Sequence, residues 1–590
     1  MTSLGAEAAG ALASAQVQTG SMSTARIPLA RFAQAGGRVD YDVVVIGSGA
    51  GGLTAAVALA QAGKSVLVLE QHDRPGGWTH SFTLQGYRFS PGVHYIGSLE
   101  EGGGLRRIYE GLGVSEDLTF CELNPDGYDH IVVGTQRVDF PKGRGALLER
   151  LKSRFPREAR GIDGYFEAVS GMMDALSQLG RLDGPAAVGR AVRASGTLLR
   201  WARATGADLL EAHIQDPLLR AALSGQSGDH GLPPSKVSAF MHAGITYHYL
   251  NGGYYPLGGA FALPKAFVRQ LKRAGGAIRL RSPVKEILLD GRRVLGVRLA
   301  DGEDIRARVV ISNADPGETF VRLIGRDQLS KGLRRKVDRS RYSTSCISLF
   351  FATDLDLRAE GLDSGNWWYY DHADLDRIYT DGLGPAGILH DTPEGMFLTV
   401  TTLKDPSKMH SGHHTCESFA FVGYQAFEHW SQSKFGGRPA QYDAMKEDLA
   451  WRMVRGLEKR IPGLGKHIVF WSLGTPLTNE HYLRSTRGNL YGIEKSPSQV
   501  GPGAFSVRTE FEGLYLCGAS TVSHGVAGVT SSGMAAASAV MRCKTEDLLQ
   551  QAGPSLTFLP SEQPATWPAH LRARIQHGEK ADDAENSDFA

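Results

Sequence analysis

Cysteine, long apolar runs and an excess of either charge are all scarce in this sequence. Only five of its 590 residues are cysteine and none are spaced as Cys-x-x-Cys, so a reducing compartment is a simpler interpretation than a disulfide framework. No apolar run reaches the roughly 18 residues of a membrane-spanning helix. The 64 basic residues balance 62 acids to a net charge of +2, which gives no electrostatic basis for nucleic acid as a partner.

Clustered metal ligands and targeting signals are also lacking. His413 and His414 are adjacent, a spacing that does not place two ligands on one helix face, so no metal site is predicted. Residues 1–39 lack the apolar core of a secretory signal and are predicted to be a disordered leader, with a transit peptide as the alternative. Residues 551–590 are rich in proline and then in charge, and predict a disordered tail. A cytoplasmic location is expected, with peripheral membrane contact left open.

A phosphate-binding unit begins near Tyr41. Residues 42–46 are a β-branched run typical of a buried strand, and residues 53–62 are compatible with a helix. A second strand is predicted over residues 65–69, ending at Glu70. Between the first strand and the helix lies the G-x-G-x-x-G stretch Gly47-Ser48-Gly49-Ala50-Gly51-Gly52.

Each part of this unit has a mechanical reason. Gly47 permits the tight turn, Gly49 lets the backbone approach a pyrophosphate, and Gly52 lets the helix pack closely on the sheet. The start of the helix offers free N–H groups and a positive dipole end to phosphate. Glu70 ends the second strand, where an acid accepts hydrogen bonds from ribose hydroxyls. A dinucleotide site is therefore predicted.

Residues after the acid carry a family resemblance. Arg74-Pro75-Gly76-Gly77 resembles the motif of a large FAD family that includes phytoene desaturases, carotenoid isomerases and retinol saturases. In that family the paired glycines line the flavin side of the cofactor, and NAD-binding domains lack them. The resemblance therefore implies FAD as the cofactor.

Further motifs extend the resemblance over residues 41–543. The stretch ending in Gly92-Val93-His94-Tyr95-Ile96-Gly97 is most similar to retinol saturase, and residues 474–491 resemble the saturase and isomerase pattern. The family's Tyr-Pro-x-Gly-Gly turn matches residues 255–259, and Val284 matches a residue whose backbone contacts the adenine side. The predicted cofactor-binding residues are Gly47, Ser48, Gly49, Ala50, Gly51, Gly52, Glu70, Gln71, Arg74, Gly76, Gly77, Trp78, Val284, Asn313, Gly518, Ala519, Gly525, Val526 and Gly528.

Two departures from the family pattern limit what is carried over. Ala519 stands where many relatives have an acid, so backbone N–H groups are expected to contribute more to cofactor binding. Ser90-Pro91 replaces a common Asp-Thr pair. No dedicated nicotinamide domain is evident, and the electron donor or acceptor is unidentified: a quinone, oxygen, a partner protein or transiently bound NAD(P)H.

The expected fold class is α/β. A Rossmann-type FAD-binding domain is built from discontinuous segments, with an inserted α+β substrate domain and a helical cap. Residues 40–99, 251–325 and 501–550 are assigned to FAD binding, residues 100–250 to a largely helical cap, and residues 326–500 to the substrate domain.

Two features bear on the substrate. The aromatic run at residues 365–370 suits either an apolar tunnel for a polyene or plain core packing. Arginines and apolar residues alternate around Trp201, which suits either a basic amphipathic helix on a membrane surface or a cap helix with a solvated face. The arginines are Arg190, Arg193, Arg200 and Arg203.

The predicted function is FAD-dependent oxidation or reduction of carbon–carbon double bonds in an apolar polyene, a retinoid or carotenoid, in the manner of a saturase. Desaturation and cis–trans isomerisation remain alternatives, as do a non-catalytic prenyl-binding escort protein and an amine oxidase. His94 is the first candidate proton carrier because the ordinary pKa of histidine suits neutral pH. The full set of candidates is His94, Tyr95, Glu480, Tyr482 and His524.

Overall fold

The structure is a computed structural model that describes residues 39–179, 196–384, 387 and 391–577. The predictions of a disordered leader and of a basic helix containing Arg190 and Arg193 fall outside these ranges, as do residues 578–590.

The strands carry the labels used below. They are β1 (Tyr41–Ile46), β2 (Val66–Leu69), β3 (Phe82–Leu84), β4 (Tyr87–Phe89), β5 (Thr119–Glu122), β6 (Asp129–Val133), β7 (Gln136–Phe140), β8 (Tyr254–Pro256), β9 (Ala277–Arg279), β10 (Val284–Asp290), β11 (Arg293–Leu299), β12 (Asp304–Ser312), β13 (Ser345–Thr353), β14 (Asn366–Tyr370), β15 (Gly395–Val400), β16 (His414–Val422), β17 (Ile468–Gly474), β18 (Leu514–Leu516) and β19 (Thr557–Pro560).

The helices are numbered in the same way. They are α1 (Ala50–Gln61), α2 (Gly104–Gly111), α3 (Arg144–Arg154), α4 (Ala159–Leu179), α5 (Gly206–Glu211), α6 (Pro217–Leu223), α7 (Ala239–Tyr249), α8 (Ala262–Arg273), α9 (Lys331–Arg339), α10 (Leu375–Leu383), α11 (Thr401–Lys404), α12 (Ala440–Glu458), α13 (Pro476–Leu483), α14 (Gly525–Met541) and α15 (Ala569–His577). None of the helices in the described part of the chain has the length and apolar character to traverse a bilayer.

The predicted dinucleotide-binding sheet is confirmed and is built from distant segments. Its strand order is β10-β11-β12-β1-β2-β9, and β18 pairs with the last residues of β12. Strands β18, β12, β1, β2 and β9 run parallel, so their carboxyl ends meet at one edge. The buried run of β1 forms because Val and Ile suit a strand covered on both faces. Helix α1 returns from β1 and packs against α14 and α8.

A second sheet of seven strands draws five of them from residues 326–500, the predicted substrate domain. Its order is β17-β13-β16-β15-β14-β6-β7, antiparallel except for the parallel pair β14 and β6. Apolar side chains cover this sheet on both faces, in two separate hydrophobic clusters. Strand β6 comes from the segment predicted to be largely helical, which also contains β5 and β7.

The tail departs from its prediction. Disorder from residue 551 is wrong for the residues described, because β19 pairs in parallel with β5 in a three-stranded sheet with β8. Trp567 is buried and its indole N–H donates to the Pro560 carbonyl at 2.8 Å. Leu559 and Leu571 join the same apolar cluster. Apolar residues spaced between prolines therefore anchor this segment although its composition suggests disorder.

Candidate active site

One large cavity joins the two parts of the fold. Its volume is about 1100 Å³, and it is lined both by loops at the carboxyl ends of the dinucleotide-binding strands and by residues of the second sheet, of α4 and of α7. Sixteen of the predicted cofactor-binding residues line it: Gly47, Gly49, Ala50, Gly51, Glu70, Gln71, Gly76, Gly77, Trp78, Val284, Asn313, Gly518, Ala519, Gly525, Val526 and Gly528. We call these sixteen residues the cofactor cradle.

The first loop of the cradle admits only glycine at key points. Gly47 has φ of +90°, in the region that favours glycine. A Cβ at Gly52 would lie 2.2 Å from the Gly47 carbonyl oxygen. Gly52 itself does not line the cavity. Its lack of a side chain lets the start of α1 pack tightly against the loop after β1. The loop therefore brings backbone N–H groups, rather than side chains, to the cavity.

Two helices begin at this cavity. Gly49 caps α1 and His524 caps α14, neither with a side-chain hydrogen bond, and the first turn of neither helix holds an acid. Two free helix N-termini create a positive potential that suits an anionic group. His524 Nε2 lies 2.8 Å from the Asp229 carbonyl oxygen, and its buried Nδ1 has no hydrogen-bond partner among the described residues. Because Nε2 donates to this carbonyl, Nδ1 is left as an acceptor in the residue that caps α14.

Ser48 and Glu70 tie the loop to the following glycine turn. Glu70 Oε2 accepts hydrogen bonds from the Ser48 N–H at 2.9 Å and from its hydroxyl at 2.5 Å. The Gly76 N–H donates to Ser48 Oγ at 3.0 Å. Ser48 is buried behind the cavity, so it supports the cradle instead of lining it. Arg74 does not line the cavity either, and its guanidinium donates to the Ser81 carbonyl at 3.3 Å.

Two further cradle residues, Val284 and Ala519, have carbonyls that accept hydrogen bonds from basic side chains. The Val284 carbonyl accepts from the Arg322 guanidinium at 3.2 Å, and both residues line the cavity. The Ala519 carbonyl accepts from Lys495 Nζ at 2.5 Å. Burial lowers the Lys495 pKa to about 7. A lysine side chain therefore contacts the backbone of Ala519, and no acidic side chain stands at this position.

His94 lines the cavity and is paired with a buried acid. Its Nδ1 lies 2.9 Å from Glu417 Oε2, and the other Glu417 oxygen accepts from the Ser90 N–H at 2.6 Å. Glu417 is 1% exposed. This pairing fixes the imidazole and leaves Nε2 as the nitrogen not engaged with Glu417.

Tyr95 lies between two carboxyl groups. Its hydroxyl is 3.0 Å from Asp129 Oδ2 and 2.7 Å from Asp229 Oδ2, and its ring stacks on Tyr249. Behind it, Lys404 Nζ donates to the His94 carbonyl and to Asn366 Oδ1, each at 2.5 Å. Burial lowers the Lys404 pKa to about 7. We call His94, Tyr95, Asp129, Asp229, Lys404 and Glu417 the buried polar network.

The remaining predicted proton carriers are placed differently. Tyr482 lines the cavity and lies beside His72, with ring centroids 5.3 Å apart. Burial lowers the His524 pKa to about 3, so its imidazole is neutral near pH 7 and is a poor proton donor. Glu480 does not line the cavity and accepts from the Tyr424 hydroxyl at 2.9 Å.

The opposite end of the cavity is apolar. We call its lining the apolar channel: Met173, Leu176, Leu198, Ala202, Phe240, Met241 and Ile245, with Gly244 beside them. These residues come from α4, from α7 and from the segment around Trp201. The aromatic run at residues 365–370 does not line the cavity; it forms β14, and Trp368 is buried in the core.

Sequence reasoning missed several residues of the site. Asp129, Asp229, Lys404, Glu417 and Lys495 belong to no spacing motif. Asp129 starts the fully buried strand β6, and this acid beside an apolar run was the one available signal. The G-x-G-x-x-G spacing also recurs at Gly382, Gly384 and Gly387, but there it overlaps the end of helix α10 and follows no strand.

Fold and site together define a protein that binds a dinucleotide cofactor beside an apolar channel. A family model described as flavin containing amine oxidoreductase matches residues 50–541. The all-trans-retinol 13,14-reductase of Danio rerio is 31% identical over 528 residues, which cover 85% of this chain and 86% of that protein. The chloroplastic prolycopene isomerase of Arabidopsis thaliana is 28% identical over 513 residues, covering 85% of this chain and 82% of the isomerase.

Solved structures agree on the fold. An oxidoreductase from Methanosarcina mazei gives a TM-score of 0.55 at 17% identity, covering 84% of this chain and 99% of the other.

The chain belongs to the flavin-containing amine oxidoreductase family, and its cofactor is FAD. The cradle fits this cofactor, since it offers glycine-rich backbone, two free helix N-termini and an acid ending β2.

Proposed function

We propose that this FAD-dependent oxidoreductase acts on carbon–carbon double bonds of an apolar polyene isoprenoid, in the direction of saturation. The observation that carries the proposal is the continuity of the cofactor cradle with the apolar channel in one cavity. Pockets for a single small ligand usually measure about 300–1,000 Å³, so this larger cavity suits a dinucleotide together with a second molecule.

The relatives narrow the substrate class. The Danio rerio relative is named for reduction of all-trans-retinol, and the plant relative for isomerisation of prolycopene. Both names describe apolar polyenes, which match a channel lined by Met, Leu, Phe and Ile. Isomerisation is the second candidate, because the isomerase relative covers the chain as fully as the reductase does.

The residues of the chain divide the work. FAD, when bound, supplies the hydride or electron exchange with carbon. The N-terminus of α14 stabilises negative charge beside the cradle. The apolar channel binds the hydrocarbon and excludes water, and the Glu417 carboxylate holds His94 in a fixed orientation at the cavity wall.

An anaerobic absorption titration tests the proposal. The bound flavin is reduced chemically and all-trans-retinol or a carotenoid is then added. Return of the oxidised flavin band with a blue shift of the polyene band supports saturation. A flavin that stays reduced while the polyene changes only its cis–trans signature contradicts saturation and establishes isomerisation.

A variant of the channel tests where the polyene binds. Gly244 has open space at its Cβ position, so Gly244→Phe is expected to fill the channel. The variant should retain the flavin spectrum but require at least about tenfold more polyene for half-maximal flavin oxidation, since lost apolar contacts of 1.4 kcal/mol correspond to a factor of ten. Gly171→Phe, also open at Cβ and absent from the cavity lining, is the control.

Uptake from a membrane surface is part of the same proposal. Leu176, Leu199 and Tyr247 are exposed at 43%, 79% and 47%, and they lie on the segments that line the apolar channel. Exposed apolar side chains beside Arg200 and Arg203 suit an anionic bilayer. Leu199→Asp is expected to weaken sedimentation with phosphatidylserine vesicles. Val469→Asp, at an exposed apolar position on β17, should not weaken it. Equal binding by both variants contradicts membrane uptake.

A further inference from the structure

The Tyr95 hydroxyl is shared by two carboxyl groups. It lies within hydrogen-bond distance of Asp129 and of Asp229, at 3.0 and 2.7 Å. A hydroxyl has one hydrogen and donates to one acceptor at a time. Both contacts are hydrogen bonds when one carboxyl group carries a proton of its own. That group then donates a hydrogen bond to the tyrosine oxygen, while the tyrosine hydroxyl donates to the other, ionised carboxylate.

The surroundings decide which acid is protonated. The Asp129 carboxylate accepts from Gln226 Nε2 at 2.6 Å, Asn366 Nδ2 at 3.2 Å and Trp368 Nε1 at 3.3 Å. Among the described residues, the Asp229 carboxyl group has Tyr95 as its hydrogen-bond partner. Donors stabilise the ionised form, so Asp129 is the carboxylate and Asp229 the acid.

The pKa directions agree with this assignment. Burial, and then the Asp129 charge, raise the Asp229 pKa to about 8. Burial also raises the Asp129 pKa, to about 6, with the hydrogen bonds opposing it. A neutral carboxylic acid at pH 7 can donate a proton as well as a hydrogen bond.

Asp229 is also in the right place. It lines the cavity, whereas Asp129 does not. It ends the 3-10 turn Gly225–Asp229, and its backbone carbonyl lies 2.8 Å from Nε2 of His524, the residue that caps α14. This contact ties the acid directly to the cofactor cradle.

We propose that Asp229 is a catalytic residue, the acid that protonates a carbon of the substrate double bond. The assignment rests on the proposed function. Saturation adds a hydride equivalent, which reduced FAD supplies as the two-electron reductant, and one proton. The Asp229 O–H bond breaks, the π electrons of the substrate form the new C–H bond at one carbon, the other carbon takes the hydride equivalent, and Asp229 is left as a carboxylate. Tyr95 and Asp129 are positioning residues, which keep the proton on Asp229 between turnovers.

The pH dependence of wild type and of an Asp229 variant tests the role of this acid. The titratable groups that face it are Tyr95, Asp129, Tyr249, Tyr370, Tyr379, Tyr491 and His524. Burial raises the pKa of each of these tyrosines above its ordinary value, and that of His524 is about 3. Of the groups in this set, Asp129 and Asp229 titrate between pH 5 and 9. Burial also lowers the pKa of Lys404 and of Lys495 to about 7, and Asp229→Asn, which retains both lysines, separates their titration from that of Asp229. The rate of polyene reduction is therefore expected to fall as the pH rises through about 8.

The test uses the full-length holoenzyme and its Asp229→Asn variant, with Asp301→Asn, an exposed site, as control. D229N is expected to retain FAD but to oxidise reduced flavin with all-trans-retinol about 10²–10⁴-fold more slowly, and to lose the alkaline fall in rate. Wild-type protein that reduces no polyene overturns both the proposed function and this assignment. Active wild type with an unaffected D229N overturns the assignment alone.

An infrared measurement provides a readout that does not depend on turnover. The wild-type holoenzyme without substrate is expected to show the carbonyl stretch of a protonated carboxylic acid at pH 7, and D229N to lack it. If D229N fails to retain FAD, the wild-type band and its loss above pH 8 decide the question. A wild-type protein without this band overturns the proposal.

Discussion

The cofactor cradle and the buried polar network line or support the same cavity, yet one is built mainly from backbone groups and the other from ionisable side chains. The cradle presents backbone groups and two helix N-termini, with Glu70 as its one acid. The network consists of buried ionisable side chains from the loop after β4, from β6, from the 3-10 turn Gly225–Asp229, from α11 and from β16. A site made of backbone depends on chain conformation, whereas one made of side chains depends on mutual neutralisation of buried charges.

The largest effect is expected in the cradle. Gly52→Val should abolish FAD binding, because even a Cβ would lie 2.2 Å from the Gly47 carbonyl oxygen and the loop must move. The measurement is the flavin content of purified protein by absorbance. Gly171→Val, at an open helix position, is the control. A yellow Gly52→Val protein would show that side chains dominate cofactor binding and would break the comparison.

The next largest effect is expected in the acid sensitivity of folding, at a buried histidine that belongs to neither region. Burial lowers the pKa of His242, which lies on α7 and is 3% exposed, to about 4. Its folded pKa is below the unfolded value of about 6.5, so it contributes stability that is present above pH 6.5 and lost as the pH falls toward 4. His242→Gln should reduce the loss of unfolding free energy across this window by about 3 kcal/mol.

Chemical denaturation at a series of pH values measures this effect. His467→Gln, at a site with 45% side-chain exposure, serves as the control and should leave the pH dependence unchanged. An unaltered slope in His242→Gln would mean that its proton is gained equally in the folded and unfolded chain.

A smaller loss is expected when the network loses its cation. Lys404→Met removes the donor to the His94 carbonyl and to Asn366 Oδ1, and leaves Asp129 and Glu417 less compensated. Stranding two buried acceptors costs about 2 kcal/mol of unfolding free energy. Urea denaturation checks this, with Lys285→Met at an exposed strand position as control. FAD content should stay the same. A variant purified without FAD would show that the cradle depends on the buried polar network.

The smallest effect concerns Glu480. Because its carboxylate contacts Tyr424 and does not line the cavity, Glu480→Gln should change the rate of flavin oxidation by less than about twofold, or about 0.4 kcal/mol. Rapid-mixing absorbance measures the rate. A loss comparable to that of D229N would restore Glu480 as a proton carrier.

The same contrast explains what the sequence could predict. Glycines at Gly47, Gly49 and Gly52 are required by local backbone geometry, so they appear at fixed spacing and reveal the cradle. Asp129 and Asp229 meet through Tyr95 only after β6 and the turn before α7 have folded against each other. No local spacing records such a meeting. His94 and Tyr95 were found through their place in a longer motif, whereas Glu480, from an equally similar motif, lies away from the cavity.

The tail shows a related limit. Its proline and charge content predicts disorder, because composition measures the average tendency of a segment and not the partner available to it. Leu559 and Trp567 are buried because they join a large cluster assembled from α3, α4 and β6. Their contribution depends on elements several hundred residues earlier in the chain.

The order of strands in the dinucleotide-binding sheet has a consequence for synthesis. Strand β1 lies beside β12, and β12 beside β18, although the three are separated by most of the chain. As the polypeptide emerges from the ribosome, the glycine loop is made early, but its second helix terminus, at α14, is among the last elements completed. We therefore expect FAD to be captured by a nearly finished chain, and products that terminate before β18 to lack bound flavin.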